Sequence, residues 1–230
     1  MRWPCRGPLA LAIALVAALV VAAPGRGAPA PPAAAERVVV ALGDSLTAGL
    51  GVAPDEAWPA LVELRIRREG LPFRMVNAGV SGDTSAGGLR RVEWTLKSRP
   101  EVVVVALGAN DGLRGQPVDA LRDNLVGIVE RLRTAGARVL LAGMRLPPNY
   151  GAAYTRAFAG VYGEVARRTG VPLMPFLLEG VAGNPALNQA DGIHPNAEGH
   201  RVIAERVWVH LAPLLRPAAA RAATPGEPGR

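Results

Sequence analysis

Ser45, Asp191 and His194 are of the residue types that carry nucleophilic acyl transfer, and each stands in a turn-rich stretch. A serine hydroxyl attacks a carbonyl only when a base takes its proton as the new bond forms. Ser45 follows the apolar run Arg37–Leu42 by way of Gly43-Asp44, where a strand is expected to turn into a helix. The partial positive charge of a helix N-terminus favours a developing oxyanion there. Taken alone, a serine at such a turn is more readily a helix cap. His194 shifts that balance. It lies in a loop three residues after Asp191 and directly ahead of Pro195. That spacing lets the carboxylate hold the Nδ1–H of the ring and aim Nε2 at a serine. Asp-Gly and His-Pro-Asn are also ordinary turn pairs, so the Asp-x-x-His spacing gains weight only beside the serine. The other two histidines, His200 and His210, fall in a later helical stretch and read as surface or packing residues.

Acyl transfer also needs donors for the oxyanion. Asn110 directly follows a buried strand and its side-chain amide can donate, and Gly82 offers a backbone N–H with no side chain in the way. For both, plain turn chemistry is the competing reading. Asp44, Asp83 and Asp111 read as carboxylates that shape loops. Three scattered acids without a second histidine make a poor metal site, so neither a metal nor a cofactor is expected. Leu113, Leu146 and Tyr150, with Met144, are candidates to line an acyl groove, although core packing explains Met144 equally well. Gly112 and Gly115 bracket Leu113 and Arg114, so Asn110 to Pro117 reads either as a mobile lid or as a surface turn.

These residues need elements to hold them. Apolar, β-branched runs at Arg37–Leu42, Phe73–Ala78, Glu101–Leu107, Arg138–Met144 and Val171–Phe176 read as five strands. Helical patterns at Asp55–Arg68, Thr84–Ser98, Val118–Ala135, Ala152–Thr169 and about Asn196–Leu214 alternate with them. Right-handed crossovers turn this order into an α/β fold, a three-layer α/β/α sandwich on a five-stranded parallel, flavodoxin-like sheet. Ligands of such sheets bind at the carboxyl ends of the strands. Gly43-Asp44-Ser45, Ser81-Gly82-Asp83, Gly108-Ala109-Asn110-Asp111 and Asp191-Gly192-Ile193-His194 all gather at that edge.

The chain has 230 residues, enough for one domain with a full core. Residues 1–35 read separately: Arg2 and Arg6 precede an uncharged run from Leu9 to Ala23, and small residues and prolines follow to Ala35. This is the pattern of a secretory signal peptide, and the run falls short of the roughly 20 residues that span a bilayer. A retained anchor is the alternative, and Ala28, Ala30 and Ala35 are each possible cleavage points. The expected destination is periplasmic or secreted. The single cysteine, Cys5, lies in this leader, so the exported chain has no disulfide and no thiolate nucleophile. Residues 36–215 form the expected domain, and 216–230, rich in Pro, Ala and Gly, the expected disordered tail. Loss of Arg2, Arg6 and Arg26 lowers the net charge from +7 to +4. The remaining arginines are scattered beside acids, with no basic stripe for nucleic acid. A small-molecule substrate, transient lipid contact and a monomer are expected.

Four blocks together carry a resemblance. Gly43-Asp44-Ser45-Leu46, Gly82 within Asn77-Ala78-Gly79-Val80-Ser81-Gly82-Asp83-Thr84, Gly108-Ala109-Asn110-Asp111 and Asp191-Gly192-Ile193-His194-Pro195 resemble, in order, the blocks of the SGNH (GDSL) hydrolases. The likeness runs from Val38 to about Val207. It implies Ser45 as nucleophile, an oxyanion hole of the Ser45 amide, Gly82 and Asn110, and a triad completed by Asp191 and His194. The lipase-type G-x-S-x-G elbow is absent. Ala57-Trp58-Pro59-Ala60-Leu61, Gly108–Gly115 and Met144–Gly151 further resemble the bacterial thioesterase I, lysophospholipase L1 and arylesterase subgroup, whose members act on acyl thioesters, lysophospholipids and aryl esters. Gln116-Pro117-Val118 is about one residue shorter than that subgroup leads one to expect, so acyl-chain preference does not carry over. The expected function is ester or thioester hydrolysis through an acyl-enzyme. A carbohydrate O-acetylesterase is the second enzyme reading. A non-catalytic, anion-binding flavodoxin-like module is the third, and it leaves the Ser/Asp/His set without a purpose.

Overall fold

A computed structural model describes residues 36–222. The expected leader, 1–35, and the end of the expected tail, 223–230, lie outside the described residues. Five strands, β1 (Arg37–Gly43), β2 (Phe73–Gly79), β3 (Val102–Ala106), β4 (Arg138–Ala142) and β5 (Leu173–Met174), form one sheet in the order β2-β1-β3-β4-β5. Every pairing is parallel, with Val39 against Val102 and Val40 against Val76 among the register pairs. This is the doubly wound order that the alternating apolar runs imply. The centre of the sheet carries unbroken apolar sequence because both of its faces are covered: Val102, Val103, Val104 and Val105 are fully buried.

The helices are α1 (Ser45–Ala48), α2 (Trp58–Arg68), α3 (Ser85–Arg90), α4 (Val92–Leu96), α5 (Ala109–Leu113), α6 (Val118–Thr134), α7 (Ala152–Thr169) and α8 (Ala197–Ala222). Trp58, Phe73, Phe158 and Tyr162 are the bulkiest fully buried side chains around the sheet. The helix expected from Asp55 starts at Trp58 and the strand expected to Met144 ends at Ala142, and three larger differences follow. β5 is two residues long because Pro172 and Pro175 flank it and cannot donate to the ladder. The stretch expected as one helix over Thr84–Ser98 is α3 and α4, broken at Arg91, whose φ of −102° leaves the helical range. α8 continues past Leu214 to Ala222, into the stretch that composition marks as a tail.

The turns at the carboxyl edge are built by specific residues. Gly108 turns β3 into α5 at φ 114°, and the Tyr162 hydroxyl, bonded to the Leu107 carbonyl at 3.0 Å, fills the space a Cβ would need. Asn196 caps α8, its Oδ1 accepting the Gly199 amide at 3.0 Å. The cap of α8 thereby stands two residues after His194.

Candidate active site

Ser45 opens α1, with Asp44 as the cap: Asp44 Oδ1 accepts the Leu46 amide at 3.0 Å. The cap role that Ser45 could have filled therefore belongs to its neighbour, and the serine hydroxyl is free for another partner. That partner is His194, whose Nε2 lies 2.9 Å from Ser45 Oγ. Ser45 is only 8% exposed, tucked under the imidazole rather than standing at the surface. α1 is a single turn, so the macrodipole expected from the sequence is small.

Asp191 completes the relay. Its Oδ2 lies 2.7 Å from His194 Nδ1, and its Oδ1 accepts the backbone amides of Ile193 at 2.9 Å and His194 at 3.0 Å. The His194 amide, the imidazole and the Ile193 amide together hold the Asp191 carboxyl down at about 2. An ionised carboxylate on Nδ1 requires the proton there and leaves Nε2 as the acceptor facing Ser45.

The loop carrying His194 is pinned by Gln189, a residue that no motif or spacing singles out. Gln189 Nε2 donates to the Leu50 carbonyl at 2.7 Å and to the Pro195 carbonyl at 2.9 Å. The Gln189 amide also donates to the His194 carbonyl at 2.8 Å. Because Leu50 follows α1, Gln189 fixes the distance between the segment of Ser45 and that of His194.

The two further donor candidates come to the same edge. Gly82 is the third residue of a turn closed by the Asp83 amide on the Val80 carbonyl at 3.0 Å, and its φ of 79° demands glycine. Asn110 Nδ2 donates to the Asp83 carbonyl at 2.9 Å and lies 3.4 Å from Asp44 Oδ2. Both contacts are to acceptors, which fixes the amide orientation. One hydrogen is well bonded; the other has a long contact that a stronger acceptor can replace. Asp44, 1% exposed, has its carboxyl raised to about 6 by burial, against the pull of the Leu46 amide.

The remaining carboxylates shape loops, as expected. Asp111 is buried and accepts both the amide, at 2.7 Å, and the hydroxyl of Ser85, while Asp83 pairs with Arg91 at 2.7 Å. Among the described residues no three His, Cys, Asp or Glu side chains are grouped to hold a metal ion. His200 is buried, accepts the Trp58 amide on Nδ1 at 3.2 Å, and is lowered to about 4 by burial, so it is a neutral packing residue.

Leu113, Leu146 and Tyr150 are half-buried beside the Asn110 segment, whereas Met144 belongs to the core. Of the two readings of Asn110 to Pro117, a mobile lid or a surface turn, the packing favours the turn. A Cβ on Gly112 would lie 2.6 Å from both Leu146 Cδ2 and Phe158 Cε2, so that glycine is set by close packing and not by a hinge. The Tyr150 hydroxyl donates to the Leu113 carbonyl at 3.2 Å and the Tyr154 hydroxyl to the Gln116 carbonyl at 2.6 Å. Arg114 donates to the Gly82 carbonyl at 3.0 Å. The segment is tied down at three points.

A parallel α/β sandwich with a serine, histidine and carboxylate relay at its carboxyl edge has the architecture of a serine hydrolase. Residues 41–202 match the GDSL-like lipase/acylhydrolase family. The chain is 47% identical over 183 residues to esterase TesA of Pseudomonas aeruginosa, covering 79% of this chain and 91% of that one. It is 41% identical over 184 residues to thioesterase 1/protease 1/lysophospholipase L1 of Escherichia coli, covering 80% and 87%. Among solved structures it is similar to the psychrotrophic esterase EstA from Pseudoalteromonas sp., inhibited by monoethylphosphonate, with a TM-score of 0.75, 34% identity, and 78% and 99% of the two chains covered. The chain belongs to the GDSL-like lipase/acylhydrolase family, and it is a hydrolase acting on ester bonds.

Proposed function

We propose that the chain hydrolyses acyl esters and thioesters, including aryl esters and lysophospholipids, through an acyl-enzyme on Ser45. The observation that carries this reading is the 2.9 Å contact of Ser45 Oγ with His194 Nε2, backed by Asp191 on Nδ1 at 2.7 Å. In the first half-reaction Ser45 Oγ attacks the acyl carbon while its proton passes to Nε2. Asp191 stays ionised and stabilises the imidazolium. The oxyanion takes the N–H groups of Ser45 and Gly82 and the loosely held Nδ2–H of Asn110. His194 then returns its proton to the departing alcohol or thiol. Water, deprotonated by the same nitrogen, attacks the acyl carbon; the bond to Ser45 Oγ breaks, His194 returns the proton to Oγ, and the acid leaves. No step calls for a metal or a cofactor.

The acyl reading over the acetyl-sugar reading rests on Leu113, Leu146 and Tyr150, an apolar, half-buried strip next to Asn110. The relatives named esterase and thioesterase/lysophospholipase point the same way. The charged and apolar pattern of residues 1–35 supports export, with 36–215 as the working domain. The reading takes the enzyme to be a monomer that touches lipid only transiently. A panel of p-nitrophenyl esters, acyl-CoAs and lysophosphatidylcholine on the exported chain tests it. Turnover that persists or rises from acetyl to long acyl groups is expected; hydrolysis confined to acetylated sugars overturns it.

A further inference from the structure

We propose that Arg91 is the positioning residue of the oxyanion hole. The inference rests on the assignment of Ser45, Gly82 and Asn110 above. The strands β1 and β2 end side by side at the site, with Gly43 the last residue of β1 and Ala78 the last but one of β2. Arg91 donates to both of their carbonyls. Its Nη2 donates to the Gly43 carbonyl, its Nη1 to the Ala78 carbonyl and its Nε to Asp83 Oδ2, each at 2.7 Å.

Each acceptor leads directly to one oxyanion donor. Gly43 stands two residues before Ser45, and Ala78 opens the segment that ends in the Gly82 turn. The Gly43 carbonyl also accepts the Val80 amide at 3.0 Å, so the guanidinium and that amide clasp the same oxygen from two loops. Asp83 adjoins Gly82, and its own backbone carbonyl is the acceptor that orients Asn110 Nδ2. One planar group therefore sets the spacing of all three donors.

The fit is specific to arginine. A guanidinium presents its donors in a rigid fork, and a lysine ammonium is a point charge that cannot hold three such acceptors in one plane. Arg91 and Asp83 side chains are 17% and 11% exposed, so the charges need one another. Gly87 makes room for this pair: a Cβ there would fall 1.7 Å from Asp83 Oδ1. The break between α3 and α4 at Arg91 is where the side chain turns back to the strand ends.

The test compares Arg91→Ala, Arg91→Lys, Asn110→Ala and the Arg91→Ala/Asn110→Ala double variant of the full chain on one p-nitrophenyl ester. A group that acts through oxyanion donors lowers kcat, by about 10²-fold for Arg91→Ala, with KM within about threefold. Arg91→Lys is expected to fall between wild type and Arg91→Ala, and millimolar guanidinium ion is expected to restore at least about tenfold to Arg91→Ala. The double variant is expected within about threefold of Asn110→Ala alone, because both changes disable one device. A rise in KM at unchanged kcat, full multiplication of the two losses, or no rescue in a folded Arg91→Ala overturns the inference. If Arg91→Ala does not fold, Asp83→Asn keeps the shape and releases the fork, and unchanged kcat in that variant overturns it equally. Ser45→Ala in the same assay separates the two levels. Turnover surviving in Ser45→Ala removes the underlying site, whereas an inactive Ser45→Ala beside a fully active Arg91→Ala removes only the role of Arg91.

Discussion

His194 Nε2 lies 2.9 Å from Ser45 Oγ, although 149 positions of chain separate the two residues. The contact is produced from both sides. β1 delivers Ser45 to the carboxyl edge of the sheet, and Gln189 ties the His194 loop to Leu50, just beyond α1. Asp191 sets the ring's tautomer, and Asp44 takes the cap so that the Ser45 hydroxyl stays free.

If the Nδ2–H of Asn110 meets the oxyanion, its effect appears mainly in the transition state. Asn110→Ala is expected to lower kcat by about 10²- to 10³-fold with little change in KM. Steady-state kinetics on a short aryl ester check this. A raised KM with kcat intact would instead make Asn110 a substrate-binding residue.

Asp44 links the site to pH. Burial raises its carboxyl from the ordinary 3.8 to about 6, so the native state holds that proton more tightly than the unfolded chain. The native advantage therefore falls as pH rises from about 4 to about 6, and the cost, up to about 3 kcal/mol, is full above that range. Asp44→Asn removes the titration. Its melting temperature relative to wild type is expected to climb through this window and level off above it. The carboxamide of that variant has a single acceptor oxygen to serve both Leu46 and Asn110, so kcat is expected to drop. A flat difference between about pH 4 and pH 8 would contradict burial as the cause.

The packing of Gly112 gives a stability prediction in place of a lid. Gly112→Ala forces a methyl against Leu146 and Phe158 and is expected to cost about 1–3 kcal/mol. Thermal melts measure that cost, and kcat/KM across acyl chains measures selectivity. A uniform kinetic change is expected; selective loss on long chains would restore the lid.

How much of this could be read in the sequence depended on whether residue type was forced locally. Gly82 and Gly108 occupy backbone angles that favour glycine, and Asp191 bonds within its own short loop, so those blocks were legible. The parallel sheet was equally plain, because strands buried on both faces must be apolar throughout. Arg91 was not legible. It adjoins Arg90, which is exposed, and nothing local tells a solvated helix arginine from one turned inward onto strand ends. Gln189 was hidden for the same reason, since its acceptor at Leu50 is 139 residues away. At Gly112 the sequence leaves hinge and turn open, because Leu146 and Phe158, which fill its space, are distant in the chain.

Acylation of Ser45 underlies every step of the proposed reaction, and trapping it is the most direct test. A fluorophosphonate probe is expected to add one phosphonyl group to wild-type protein, on the peptide containing Ser45, and none to Ser45→Ala. The same variant is expected to fold normally, because it removes only Oγ and leaves Cβ in place, and to lose on the order of 10⁴-fold in kcat. Labelling at another residue, or a Ser45→Ala enzyme retaining about a tenth of wild-type turnover, would contradict the account.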